Sequence, residues 1–224
     1  MNFDKFLEIY GDKPFIESST YSLYTSNPNI LRVQVNKWKQ KGYLFELKKG
    51  LYVFSQKYRK YPISGLLVAN YLVYPSYISL EHALGFYDLI PEMVSVFTSI
   101  TTKKTNRFRN KFGLFKYNSI KKSLFFGYEM KDIENENIFI ASPEKAILDY
   151  FYINVANIGT NNISGFKDNG FEYFKSLRLQ NLNKINTKSL KKYSGEYPKK
   201  IKDLTKALLE YIKVSRGAFK KLDI

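Results

Sequence analysis

Ser142 and Lys145 form the pair whose spacing comes nearest to a known catalytic arrangement, S-x-x-K, in the stretch ASPEKAILDYF. In penicillin-binding proteins and class A β-lactamases this spacing gives a serine nucleophile with a lysine one helical turn away. Those enzymes also carry S-D-N and then K-T-G after the serine. Here S-D-N is absent, and the nearest match to K-T-G, Lys104–Asn106, precedes Ser142. We therefore assign no catalytic serine.

The same stretch is typical of a helix start. Ser142 is a good N-cap residue, Pro143 suits the first helical position, and Glu144 puts negative charge near the positive end of the helix dipole. The sequence therefore predicts a helix that begins at this point.

A second enzyme hypothesis is a PD-(D/E)xK-like nuclease, because Glu129-x-Lys131 lies in a strand-like stretch. Such a site needs an upstream aspartate on a neighbouring strand, so that two carboxylates hold Mg²⁺ beside the lysine. The nearest upstream aspartate is Asp88, at a predicted helix end, and Glu46-x-Lys48 repeats the pattern elsewhere. The nuclease remains the less favoured alternative.

Metal and cofactor chemistry has little support in the composition. The chain has no cysteine and a single histidine, His82, which we expect to be packed or to make a local hydrogen bond. Phosphate-binding P-loops, GxGxxG, HExxH and EF-hand motifs are missing. We expect no metal, no cofactor and no enzymatic activity.

Residues 1–60 have the element order of a winged helix-turn-helix. Phe3, Phe6, Leu7 and Tyr10 have helical spacing, and a second, shorter helix is predicted in IESSTYSLYT. A third helix, in SNPNILRVQVNKWKQKGY, has Ser and Asn cap candidates and a stop at Gly42. Two short strands joined by a turn at 48–50 follow as the wing.

The third helix carries the predicted DNA-reading face. At 100° per residue its apolar side chains form one face, and the opposite face is polar and basic, as a helix in the major groove requires. The wing would approach the phosphate backbone. The predicted DNA-binding residues are Asn29, Arg32, Val33, Asn36, Lys37, Gln40, Lys41, Lys48 and Lys49.

Residues 61–155 are predicted to form a small α+β unit. It comprises two helices, the second capped by Ser79, then strands and a hairpin with its turn near 134–137. Between 103 and 122 basic residues alternate with aromatics, which fits either nucleic-acid binding by charge and stacking or two ordinary strands. The additional nucleic-acid or partner contacts predicted there are Lys103, Lys104, Arg107, Arg109 and Lys111.

Residues 156–224 form a basic, mainly helical C-terminal part. A Gly/Asn-rich loop at 157–166 precedes helices predicted around 171–181, 187–193 and 198–213. The formal net charge of the chain is +16, concentrated at +6 in residues 1–60 and +9 in residues 161–224. Both ends therefore suit anionic partners. Without a signal-peptide layout or a bilayer-long apolar run, we expect a cytoplasmic protein with no membrane partner.

Five sequence blocks in fixed order carry a family resemblance. They are YISLEHALGFYDLIPE, TSITTKKTNRF, FGLFKY, FFG and IFIASPEKAILD, between residues 77 and 149. Together with residues 27–54 they resemble the AbiEi-type antitoxins of type IV toxin–antitoxin systems, which belong to abortive-infection phage defence. The resemblance covers residues 2–155.

The resemblance implies a winged helix that binds operator DNA of its own operon and represses it, followed by an antitoxin domain. The implied functional partner is a nucleotidyltransferase-like toxin, countered with or without a stable complex. A homo-oligomer on the DNA is compatible with this role. The alternative from another functional class is a protein-interaction module, in which the basic ends dock on an acidic toxin and DNA is not recognised.

Overall fold

The computed structural model describes residues 1–154 and 166–219, with side chains described except at 166–170 and 216–219. Its class is mixed α+β, which confirms that part of the prediction. Among these residues, no helix is both long and apolar enough to cross a membrane. The predicted Gly/Asn-rich loop lies, except for its last residue, outside the described part of the chain.

The N-terminal unit combines helices with a three-stranded antiparallel sheet. Its sheet order is β1-β3-β2. The elements are α1 (Phe3–Tyr10), β1 (Ile16–Glu17), a 3-10 helix (Ser18–Leu23), α2 (Pro28–Gln40), β2 (Leu44–Lys48) and β3 (Leu51–Phe54). The predicted second helix is therefore a 3-10 turn, and the two-residue strand β1 was not predicted.

Local chemistry sets the bounds of α2. The side chain of Asn27 accepts a hydrogen bond from the Ile30 amide at 3.2 Å, and Pro28 follows at the first helical position. Gly42 lies just after the helix at φ +73°, a left-handed backbone conformation that glycine adopts with little strain. The predicted start and stop signals of this helix are thus confirmed.

The second unit is built around a six-stranded mixed sheet of order β6-β7-β5-β4-β9-β8. The β5–β7 and β4–β9 pairs are parallel, and the other neighbours are antiparallel. Its elements are α3 (Gly65–Leu72), β4 (Ser76–Ile78), α4 (Leu80–Phe86), β5 (Val96–Thr101), β6 (Asn106–Asn110), β7 (Gly113–Ser119), a 3-10 turn (Lys122–Leu124), β8 (Tyr128–Ile133), β9 (Glu136–Ala141) and α5 (Pro143–Asn154).

Turn geometry at two sites agrees with the residue types. Glu134 and Asn135 both have positive φ and join β8 to β9, as a two-residue hairpin loop requires, so the predicted turn is confirmed. Ser142 Oγ accepts a hydrogen bond from the Lys145 amide at 3.2 Å. That bond confirms the predicted N-cap of α5.

The described residues of the C-terminal part are mainly helical. They are α6 (Phe166–Ser176), a 3-10 turn (Leu182–Lys184), α7 (Thr187–Ser194) and α8 (Lys199–Phe219). The predicted extension of α6 to residue 181 is wrong, because Arg178 and Asn181 have φ of 51° and 50°, which breaks a right-handed helix.

Two apolar cores share the β2–β3 hairpin. Along β3, Phe54 packs into the core formed with α1 and α2, whereas Leu51 and Val53 pack into the core of the second unit. Along β2, Leu44 belongs to the first core and Leu47 to the second. Because strand side chains alternate between faces, the hairpin is buried on both sides.

Candidate nucleic-acid interface

The outer face of α2 is polar, basic and exposed. Leu31, Val35 and Trp38 anchor the opposite face in the N-terminal core. Helix α2 contains no acidic residue. The predicted reading residues on and just after this helix are all exposed: Asn29, Arg32, Val33, Asn36, Lys37, Gln40 and Lys41. The structure therefore brings these seven together on an accessible surface.

Arg32 and Asn29 form a pre-arranged polar pair. The Arg32 Nη1 donates to Asn29 Oδ1 at 2.6 Å across one helical turn. Arginine and asparagine are the side chains that pair best with guanine and adenine edges in the major groove. Val33, 54% exposed beside them, offers methyl groups to a thymine methyl. This face can therefore supply both polar and apolar base contacts.

One basic residue of α2 is neutralised within the unit. Lys39 forms an ion pair and hydrogen bond with Glu46 on β2, and both side chains are about one-third exposed or less. Lys39 was not among the predicted DNA-binding residues. The pair also links α2 to the hairpin.

The two wing lysines have different surroundings. Lys49 is exposed in the turn after β2. Lys48 is half-buried, and its Nζ donates to the Leu72 carbonyl at the end of α3, at 2.5 Å. Burial, and to a smaller extent the charge of Lys103, lowers the pKa of Lys48. Lys49 therefore offers the more accessible charge of the two, and a DNA contact by Lys48 stays a prediction.

The basic strand β6 lies against the wing. The Asn110 side-chain amide donates to the Leu47 carbonyl at 3.2 Å, and the Lys111 ammonium lies 3.7 Å from the centroid of the Phe45 ring. The remaining predicted contacts in this region, Lys103, Lys104, Arg107 and Arg109, are exposed. The structure thus places the end of the 103–111 segment beside the wing, whereas the sequence analysis treated the two as separate segments.

Strand β6 also fits the other interpretation of this stretch, that of an ordinary strand. It is an edge strand, and Phe108 is half-buried against Tyr117 while Arg107 and Arg109 point outward. Charged side chains on an edge discourage pairing with another chain. The positions of Arg107 and Arg109 are therefore compatible both with ordinary edge residues and with anion binding.

The Ser142 hydroxyl and the Lys145 ammonium make separate sets of contacts. Lys145 is fully buried, and its ammonium contacts the Asp149 carboxylate one turn along α5 and donates to the Tyr197 hydroxyl at 2.7 Å. Tyr197 in turn donates to Asp149 Oδ1 at 2.9 Å. The lysine is thus bound by a carboxylate and a phenol, while Ser142 caps the helix.

Hydroxyl donors complete the Asp149 site. Tyr77 and Ser79 donate to Asp149 Oδ2 at 3.0 and 2.8 Å. Ser79 occupies the N-cap position of α4, as predicted, but its hydroxyl makes no hydrogen bond to the helix. Burial lowers the pKa of Lys145 while Asp149 opposes that change, and burial raises the pKa of Tyr77. This buried polar cluster was missed; the only local signal was the Lys145–Asp149 spacing.

The other residues considered in the sequence analysis have partners in the structure. Lys131 forms an ion pair with Glu129 at 3.1 Å, and Asp88 pairs with Lys184 at 2.8 Å. His82 Nδ1 lies 3.2 Å from the Val96 carbonyl, which confirms the expected local hydrogen bond. Within residues 1–154 and 166–219, no group of three or more His, Cys, Asp or Glu side chains is placed to hold a metal ion.

Comparison with known proteins adds no assignment. The chain matches no protein-family model, and a search of curated proteins gave no significant match.

Proposed function

We propose that the chain is a sequence-specific DNA-binding regulator that represses its own operon and serves as the antitoxin of a type IV system. The observation that carries the DNA-binding part is the exposed face of α2, which has base-reading side chains and lies on a helix without an acidic residue. The antitoxin part rests on the five AbiEi-like sequence blocks.

The element order of the N-terminal unit supports a winged helix-turn-helix. A helix, a short strand, a 3-10 turn, the exposed helix α2 and a hairpin follow one another, with β1 and β2 pairing on the two sides of β3. In this arrangement α2 is the recognition helix and the β2–β3 hairpin, with its turn at 48–50, is the wing. Arg32 and Lys37 would carry much of the contact, since arginine reads guanine and either cation neutralises phosphate.

The test is binding of duplex DNA taken from upstream of the gene, measured by fluorescence anisotropy over a range of salt concentrations. Reversing two charges, Arg32→Glu with Lys37→Glu, should weaken specific binding by about 100-fold or more, since each lost contact costs about 1–3 kcal/mol. The slope of log K against log salt should fall by about 0.9 for each phosphate contact removed.

A matched control separates the surface from the net charge. Lys188→Glu with Lys191→Glu makes the same charge change at two exposed residues of α7. We expect this variant to bind the upstream DNA within a few-fold of the wild type. Equal losses in both variants would show that overall charge, rather than α2, governs binding.

The antitoxin part has its own test. If a nucleotidyltransferase gene lies beside this one, its expression alone should arrest growth, and co-expression of this chain should restore growth. The Arg32→Glu, Lys37→Glu variant should still restore growth when both genes are driven from foreign promoters, because repression is then irrelevant. Failure of the wild type to restore growth would leave a DNA-binding regulator without an antitoxin role.

A further inference from the structure

A wide groove lies between the N-terminal unit and the second unit. Its walls come from the α1–β1 loop, the 59–63 segment, α3 and the β8–β9 hairpin, and its volume is about 990 Å³. Five large side chains on its walls are substantially exposed, with Tyr61 at 69% and Tyr74 at 72%. The others are Tyr71, Met130 and Phe139. Exposed apolar surface concentrated in one groove marks a binding site.

Arg59, in the wall of this groove, has unsatisfied hydrogen-bonding capacity. Its Nε and Nη1 are buried without a hydrogen-bond partner in the described part of the chain, so an incoming group can reach only the part of the side chain that stays exposed. Its guanidinium carbon lies 5.7 Å from the Phe112 ring centroid. Burial lowers the pKa of Arg59. A guanidinium that is already partly stripped of water gains more from an anionic acceptor than a fully hydrated one does.

Several other polar groups of the groove already have partners. Lys60 pairs with Asp12. Glu136 accepts a hydrogen bond from the Ser64 amide at 2.9 Å. The Asn70 side chain exchanges two hydrogen bonds with the backbone of β9. Lys13 donates to the Tyr24 hydroxyl at 3.0 Å, so Arg59 is the cation of the groove that has buried donors without an acceptor in the described part of the chain.

Charge and composition decide between occupants. Three basic and three acidic side chains line the groove: Lys13, Arg59, Lys60, Glu17, Glu134 and Glu136. This balance disfavours a polyanion such as a nucleic-acid strand, which requires net positive charge along its path. Tyrosine, methionine and arginine are instead the residues enriched at protein interfaces, where they dominate the binding energy.

We propose that the groove docks a segment of a partner protein that presents a carboxylate to Arg59 and apolar side chains to Tyr61, Tyr71 and Tyr74. The site is separate from the α2 face and does not depend on the DNA-binding proposal. Its occupant contacts both units of the chain, since the groove walls come from both.

The test uses the purified full chain as bait for a phage-displayed library of random linear peptides. Enriched peptides should share an aspartate or glutamate flanked by aromatic or aliphatic residues. A synthetic peptide of the consensus is then measured by fluorescence anisotropy. Arg59→Gln and, separately, replacement of the peptide's carboxylate by its amide should each weaken binding about tenfold or more. Together they should weaken it little further, because both remove the same interaction.

Two further variants keep the test interpretable. Tyr74→Ser alters a side chain that is largely exposed, so it should weaken binding of the peptide without altering the melting temperature of the protein. Arg178→Gln removes an exposed arginine that pairs with Glu92 outside the groove, and it should bind the peptide normally. If Arg59→Gln fails to fold, the change in the peptide still tests the carboxylate contact.

Several results would overturn the proposal. One is a selection that yields no acidic consensus, and another is unchanged peptide binding by Arg59→Gln and Tyr74→Ser. Self-association in sedimentation that Tyr74→Ser abolishes would assign the groove to a second copy of this chain. Loss of duplex-DNA binding in Arg59→Gln would assign the arginine to the nucleic-acid surface, whereas unchanged DNA binding with lost peptide binding supports the docking site.

Discussion

Replacing Asp149 with asparagine removes a buried charge while keeping the shape of the side chain. Lys145 and Asp149 are both fully buried, so the variant leaves the ammonium with the Tyr197 hydroxyl and an amide oxygen as acceptors. Removing one partner of a buried ion pair costs about 3–5 kcal/mol. Against a typical stability of about 5–15 kcal/mol, that is a large fraction. In a chain of this size it corresponds to a fall in Tm of roughly 6–20 °C.

The pH dependence of the loss identifies its cause. Asp149 opposes the lowering of the Lys145 pKa by burial, so its removal lowers that pKa further. Between the lowered pKa and the unfolded value of about 10.4, the unfolded state binds more protons than the folded state. The free energy of unfolding of Asp149→Asn should therefore rise with pH relative to wild type, as the buried amine loses its proton. Below the lowered pKa the full loss should remain.

Urea unfolding followed by circular dichroism at neutral pH and near pH 10 measures both effects. Ser142→Ala serves as the control, because it removes the N-cap of the same helix at a cost of about 1 kcal/mol and alters no titrating group. The reasoning is refuted if Asp149→Asn is no less stable than Ser142→Ala at neutral pH. A deficit that is the same at both pH values would show that an unpaired buried ammonium is not its source.

Two further predictions concern the wing. Lys48→Met should lower stability by about 1–3 kcal/mol because the Leu72 carbonyl loses its donor. Lys49→Met should leave stability within about 0.5 kcal/mol and weaken DNA binding at low salt. A stability loss in Lys49→Met but not in Lys48→Met, measured by thermal melting, or weaker DNA binding only in Lys48→Met, measured by anisotropy, would contradict the geometry. Gly50→Ala should destabilise by more than about 1 kcal/mol, because Gly50 has φ +80° and an added Cβ would lie 2.7 Å from Ser18 Oγ; an unchanged urea midpoint would exclude that strain.

Helices and turns that are marked by neighbouring residues in the sequence were predicted well. The spacing of Phe3, Phe6, Leu7 and Tyr10 places α1 as observed, and the mixed α+β class is confirmed. Strand β1 could not be found in this way, because two residues make a strand only by pairing with β3 far along the chain. The winged-helix assignment and the DNA-binding residues stay predictions.

Long-range contacts explain what the sequence could not provide. Ser79 has the type and position of a helix cap, yet its hydroxyl donates to Asp149, 70 residues away. The Lys48 ammonium likewise bonds to α3 rather than extending from the turn. The groove around Arg59 is assembled from four separated segments, so no window of sequence contains it. Hydrogen-bond partners and groove walls of this kind depend on tertiary packing.

The hairpin with an apolar core on each side has a consequence for dissecting the protein. A fragment cut after residue 60 would retain its own core but expose Leu47, Leu51 and Val53 to water, since these side chains pack into the second unit. A newly uncovered apolar strand surface favours aggregation. The N-terminal unit is therefore not expected to be stable when it is separated from the rest of the chain. The β2–β3 hairpin contributes side chains to both cores, so a change of packing in one core also affects the other.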